Sequence, residues 1–233
     1  MTRVDVDFFI MSTATAVRRR ERDLKLERSN GDAAGKGDRS IFRSAASRKI
    51  DLSPFPGDAA AALHEAGCAL LQPAELAREC RLQLADLAGL SATWNQLPRD
   101  VYLRDGGRYR FRRHSCFVHE SGPTRLVAHR AHWQPTEYNA LHGGMERWFD
   151  PITPAVLNAP VWTQLLGGLA ALFSRARPVA RWYIEAHQFR IDTAAGIGRP
   201  TPEGAHRDGV DFVAVILVHR ANVRGGEDRK SVV

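Results

Sequence analysis

Two residues of types that bind metals, His206 and Asp208, are separated by one position near the C-terminal end of the sequence. In an extended strand, residues i and i+2 point to the same side, so this imidazole and this carboxylate can bind one cation together. Two imidazoles and one carboxylate on one face of an octahedron hold Fe(II) and leave positions open for oxygen and a co-substrate. The pair therefore predicts two of the three ligands of an iron site, with a surface turn as the alternative.

The sequence around this pair favours a strand. Gly204 and Gly209 permit a tight backbone on either side of the pair, and residues 210–218 form a nearly continuous apolar run. Such a run predicts an inner strand that is covered on both faces.

Several segments resemble the bacterial 2-oxoglutarate/Fe(II) dioxygenase family that includes hydroxylases of free L-amino acids such as isoleucine. These segments are 106–114, 139–149, 185–191, 202–209 and 222–227. They occur in the family's order, so the resemblance covers residues 58–227.

The resemblance implies an α+β fold in which N-terminal helices pack on a double-stranded β-helix, the cupin-like jelly roll. It implies Fe(II) and 2-oxoglutarate as cofactors, with His206 and Asp208 as catalytic iron ligands. Its partners would be O2 and a small-molecule substrate, a free amino acid hydroxylated at an aliphatic C–H bond. The alternative is a cupin-like module that binds or senses a ligand without catalysis.

The family pattern departs from this chain at the C-terminal end. In the family, a later strand provides a second histidine ligand and an arginine for 2-oxoglutarate, and the sequence ends at Val233 without them. We therefore expect residues 51–227 to be a partial dioxygenase domain that lacks the C-terminal half of its barrel and is inactive. Residues 228–233 depart from the family pattern and are predicted to be a non-native tail.

Strand-like alternation over residues 108–114 suggests a binding residue for a substrate carboxylate. Arg113 shares one side of this strand with Tyr109 and Phe111, whereas Arg112 and the other basic residues lie on the opposite side. A guanidinium fork suits a carboxylate, and Arg113 is favoured because two aromatic residues share its side. A charged edge strand is the alternative.

A second strand pattern covers residues 185–192. Gln188 and Arg190 alternate with His187, and a polar face turned into a barrel is costly unless it binds a ligand. We predict that Gln188 and Arg190 bind the cofactor, with a solvent-facing strand as the alternative. His187 could instead be the inward residue and contact the substrate.

The remaining histidine-rich stretch and the helices have simpler interpretations. His129, His132 and His142 match no familiar metal spacing and are predicted to be loop residues bonded to the backbone. Helices are predicted over 58–66, with an N-cap at its first residue, over 73–90 after a proline, and over 161–173.

Composition restricts the class of protein. The net charge is +7, and residues 18–48 hold ten Lys/Arg against five Asp/Glu, so one segment carries most of the excess. Residues 1–50 are therefore predicted to be a disordered basic extension, and no nucleic-acid partner is expected.

No apolar run approaches the length of a membrane span, so no membrane partner is expected. Three cysteines without paired spacing indicate a reducing, cytoplasmic location.

Overall fold

The computed structural model describes residues 5–14, 57–200 and 208–223. These residues contain five strands: β1 (Asp5–Ala14), β2 (Arg110–His119), β3 (Arg125–Leu126), β4 (Trp182–Asp192) and β5 (Phe212–Ala221). They also contain a 3-10 helix (Leu90–Gln96) and five α-helices: α1 (Ala59–Ala66), α2 (Pro73–Cys80), α3 (Leu84–Gly89), α4 (Pro154–Leu157) and α5 (Pro160–Ala176).

Local sequence signals determine where the helices begin and end. The Asp58 side chain accepts a hydrogen bond from the amide of Ala60, and Gly67 ends α1 in the left-handed region at φ 74°. The predicted first and third helices are confirmed. The predicted helix over 73–90 is instead two α-helices that continue into the 3-10 helix, because Arg81 ends α2 with φ 52°.

All strand pairs in the sheet are antiparallel, and the strand order is β3-β2-β4-β1-β5. The mixed helix and antiparallel-sheet character agrees with the predicted fold class. Among the residues that the structure describes there is one sheet, so the two-sheet jelly roll and its missing half stay expectations.

The helices cover one face of this sheet. Alternate residues of β4, from Trp182 to Ala186, pack with Phe9 of β1 and with one side of α5 in the main core. The Phe9 ring meets the Trp162 ring edge-on at 4.8 Å between centroids. Because side chains alternate across a strand, the intervening residues project to the opposite face.

The N-terminal strand corrects the prediction for residues 1–50. Asp5–Ala14 lies inside the sheet, between β4 and β5, with Phe9 and Met11 almost completely buried. The patch at residues 6–11 is short and its last four residues are all apolar, and a strand places Phe9 and Met11 together on the face that packs on the core. Residues 15–50 of the predicted extension and the predicted tail at 228–233 lie outside the described residues.

The apolar strand β5 also differs from its prediction. Phe212, Ala214 and Ile216 pack against the core, while Val215 and Leu217 on the other face are 66% and 62% exposed. Within the described residues, β5 is therefore covered on one face instead of two. No helix in the described ranges is both long enough and apolar enough to cross a membrane.

Candidate metal centre

A cleft of about 210 Å³ lies on the sheet face opposite the helices. The strand register sets one row of lining residues, because His187 of β4 is opposite Ile10 of β1, which is opposite Val215 of β5. His114 of β2 is opposite His187 and is completely buried beside this row. The β2 and β4 side of the cleft is polar, and the β1 and β5 side is largely apolar. The segment between β3 and α4 contributes further lining residues: His132, Gln134, Asn139 and Arg147.

Three imidazoles and one carboxylate meet at the polar half of the cleft, three of these four residues lining it and His114 lying buried beside it. One potential ligand atom from each of His114, His132, Glu185 and His187 lies within 4.8 Å of the others. The rings of His114 and His187 stack at 4.5 Å, and His132 Nδ1 lies 2.8 Å from Glu185 Oε2. We refer to these four residues as the histidine–glutamate cluster.

Burial keeps these imidazoles in the neutral, metal-binding form. It lowers the pKa of His114 to about 4, and it lowers the pKa values of His132 and His187 well below the ordinary value of 6.5. A metal ligand must offer a lone pair, and a protonated imidazole has none available. At neutral pH the cluster can therefore bind a cation without first losing protons.

Hydrogen bonds distinguish the ring nitrogens that are free for a metal. Arg112 Nη2 donates to His187 Nδ1 at 2.7 Å, since arginine has only donors, and this bond occupies that lone pair. His132 Nδ1 donates to the Glu185 carboxylate, so the lone pair of this neutral ring is on Nε2. Buried His114 Nδ1 has no hydrogen-bond partner among the described residues.

This donor set fits Fe(II). His114 and His132 offer two imidazole nitrogens and Glu185 offers carboxylate oxygens, which is the composition of a two-histidine, one-carboxylate iron site. The buried Nδ1 of His114, which has no partner among the described residues, favours a ligand here, since most buried polar atoms in proteins have a hydrogen-bond partner.

The predicted iron ligands are only partly described. His206 lies outside the described residues. Asp208 lines the same cleft, and its Oδ1 accepts a hydrogen bond from Gln134 Nε2 at 2.9 Å. Gln134 Oε1 in turn accepts from Asn139 and Arg147, at 3.0 and 2.9 Å, so a buried polar network orients the amide that holds Asp208.

The structure corrects the placement of three other predicted site residues. Gln188 and Arg190 face the helical side of β4, where Gln188 Nε2 donates to Thr93 Oγ1 and Arg190 donates to Asp7. Arg113 also faces away from the cleft, and donates to the backbone oxygens of Pro151 and Gln96 at 3.0 and 3.3 Å. The helices cover the face on which these three residues lie. The prediction that the polar face of each strand would point into the binding cleft is therefore not met.

The alternative inward residue, His187, does line the cleft, and its role in substrate binding stays a prediction. Sequence reasoning missed Arg112, His114, His132 and Glu185. The signal for the first two was their shared side of the predicted strand, and the signal for Glu185 was its i, i+2 spacing to His187. His129 was correctly predicted, because its Nε2 donates to the backbone oxygen of Phe149 at 2.8 Å.

Comparisons with known proteins place this cleft in a family. A family model described as 2OG-Fe dioxygenase matches residues 91–229. Among solved structures, a bsmA homolog from Methylobium petroleophilum PM1 is similar with a TM-score of 0.62 and 51% identity, covering 66% of this chain. The chain spans 62% of that relative's length. No protein with a curated description matches. The chain therefore belongs to the 2OG-Fe dioxygenase family, whose members use Fe(II) and 2-oxoglutarate.

Proposed function

We propose that the chain provides the iron-binding and substrate-binding cleft of a dioxygenase that hydroxylates an aliphatic C–H bond of a free amino acid. The observation that carries this proposal is the division of one cleft into a half with neutral imidazoles and carboxylates and a half with aliphatic side chains. In a family member, such a cleft can hold a metal beside an apolar substrate chain. The amino-acid class comes from the sequence resemblance.

We further propose that His206 and Asp208 bind Fe(II), with the histidine–glutamate cluster as the neighbouring donor set in the same cleft. When bound, Fe(II) and 2-oxoglutarate supply the oxidation of C–H to C–OH by O2, with succinate and CO2 as the other products. The chain's own residues would bind the metal, orient its ligands and exclude water from the cleft. Gln134 holds the Asp208 carboxylate, and Glu185 orients the His132 ring.

Metal binding gives a test that does not depend on turnover. Asp208→Asn removes a proposed anionic ligand, so the anaerobic Fe(II) affinity should fall about tenfold or more, as measured by competition with a coloured chelator. The matched control is Asp150→Asn, because the Asp150 side chain is 61% exposed and lies outside the cleft lining. Equal affinities in both variants would contradict the assignment of Asp208.

Turnover tests the reaction itself. A full-length relative with Fe(II), O2 and 2-oxoglutarate should form succinate faster when the substrate amino acid in a panel of free amino acids is present, as followed by mass spectrometry with detection of the hydroxylated product. Succinate formation by the present chain would contradict the expectation that residues 51–227 are inactive. Metal binding without succinate formation or product would support the alternative, a non-catalytic binding module.

A further inference from the structure

Two buried guanidinium groups in the cleft have hydrogen-bond donors that the described residues leave unmatched. Arg110 and Arg112 are each 4% exposed and both line the cleft. Arg110 Nη2 and Arg112 Nε have no hydrogen-bond partner among the described residues. A buried donor without a partner costs about 1–3 kcal/mol, and more when it is charged, so two in adjacent side chains require an explanation.

Charge in this corner of the cleft is also unbalanced. Asp100 is the acid that both arginines approach, with its Oδ2 2.8 Å from Arg110 Nε and 3.8 Å from Arg112 Nη1. Glu185 and Arg147 also act electrostatically on Arg112, so two carboxylates face three guanidinium groups. A further anion would balance the third positive charge, because buried charges are otherwise expensive.

The Arg112 guanidinium is held in position before any ligand arrives. It lies between two rings, 3.8 Å from the centroid of Phe149 and 4.4 Å from that of Phe189. Its Nη2 is fixed by His187 at 2.7 Å. A planar fork fixed in this way loses little entropy on binding a carboxylate, which is the anion that its geometry matches.

We propose that Arg110 and Arg112 form a carboxylate-binding subsite that orients a small organic acid with its carbon chain toward the apolar β1–β5 wall of the cleft. This inference deepens the proposed function and rests on it for the two sources of the carboxylate: 2-oxoglutarate and the amino-acid substrate. Both present the same group to the arginines. The subsite replaces the sequence-based assignment of Arg113, which lies on the other face of the same strand.

Equilibrium binding to the full chain tests the subsite separately from catalysis. Anaerobic titration calorimetry with 2-oxoglutarate, L-isoleucine and L-isoleucinamide, which lacks the carboxylate, distinguishes the sources. Arg112→Gln and Arg110→Gln should each weaken the binding of one of the two acids by about 10- to 100-fold, which is the usual effect of losing a charged hydrogen bond. A loss confined to 2-oxoglutarate assigns the subsite to the co-substrate, and a loss confined to L-isoleucine assigns it to the substrate.

Controls keep the proposal open to refutation. Arg113→Gln removes the same charge from the adjacent position outside the cleft and should change the dissociation constants less than about twofold. Arg112→Lys and Arg110→Lys keep the charge but lose the planar fork, so they should also weaken binding. They replace the glutamine variants if those variants fail to fold.

Three outcomes would overturn the subsite: unchanged affinities in folded Arg110 and Arg112 variants, no binding of either acid to the wild-type chain, or a loss of affinity caused only by Arg113→Gln. Arginine-dependent binding to this chain, together with no succinate formation by a full-length relative, would support the subsite and reject the oxygenase function.

Discussion

The His114 imidazole makes the free energy of unfolding depend on pH, because it is completely buried and burial lowers its pKa to about 4. Between pH 6.5 and 4 the unfolded chain binds a proton at this position that the folded chain does not. The free energy of unfolding is therefore fully retained above pH 6.5 and falls as the pH is lowered toward 4. For His114 alone the loss between pH 7 and pH 5 is about 2 kcal/mol.

Replacing this residue should remove that pH dependence. His114→Phe keeps a ring that can stack on His187, so the metal-free variant should lose about 2 kcal/mol less than wild type between pH 7 and pH 5. Urea unfolding at the two pH values measures the difference. His64→Phe, at an exposed position in α1, should follow the wild-type profile. Parallel profiles for wild type and His114→Phe would show that the imidazole is not protected from protons.

For single residues, alternation predicted which side chains share a face but not which face is inward. The sequence correctly separated Arg112 from Arg113 and His187 from Gln188. The choice of inward face depends on where the helices pack, which is a tertiary property. His132 could not be placed at all, because its isolated bridge to Arg147 sets its position in the cluster.

Among the elements, local signals predicted the helix starts well, missed the break at Arg81, and predicted strand environment poorly. Asp58, Gly67 and Pro73 act within one turn of chain, and the structure places them as predicted. The apolar run at 210–218 predicted cover on both faces, yet Val215 is 66% exposed in the described part of the chain. Hydrophobicity records what a strand can bury, whereas burial depends on which other elements lie against it.

Two adjacent glycines in α5 provide a test of helix packing. A Cβ at Gly168 would lie 2.4 Å from the Cα of Cys80, a backbone atom of α2, so Gly168→Ala must push the two helices apart. We expect the free energy of unfolding to fall by about 1–3 kcal/mol. The neighbouring Gly167→Ala is the control, because its Cβ would have no atom closer than 3.8 Å.

The control should be neutral or stabilising by up to about 1 kcal/mol, since alanine favours a helix over glycine. Denaturant unfolding of both variants measures the contrast. Equal changes in the two proteins would mean that α2 and α5 are not in close contact at Gly168.

In the whole molecule, the feature that the sequence could not predict is the position of its first strand. Asp5–Ala14 lies between β4 and β5, although more than 160 residues separate it from β4. A ten-residue strand sequence is compatible with many partners, so neither the register nor the choice of neighbour follows from it. Pairing of this kind is decided by long-range contacts, and β1 has two complete neighbours.

A buried ion pair joins that first strand to β4 and gives the last prediction. Asp7 has no exposed side-chain surface, and it accepts hydrogen bonds from Arg190 Nε at 2.7 Å and Arg190 Nη2 at 3.1 Å. Asp7→Ala leaves a guanidinium that is 13% exposed without this carboxylate, so the free energy of unfolding should fall by about 3 kcal/mol. Urea unfolding at neutral pH measures the loss.

Two further variants separate the ion pair from general damage. Replacing both partners in Asp7→Leu/Arg190→Met removes the uncompensated charge, so the double variant should be more stable than Asp7→Ala. Arg125→Ala breaks an exposed pair at 3.6 Å with Glu120 and should change stability by less than about 1 kcal/mol. If Asp7→Ala behaved like Arg125→Ala, the N-terminal strand could not occupy a position inside the sheet, because a carboxylate buried there cannot be removed without consequence for Arg190.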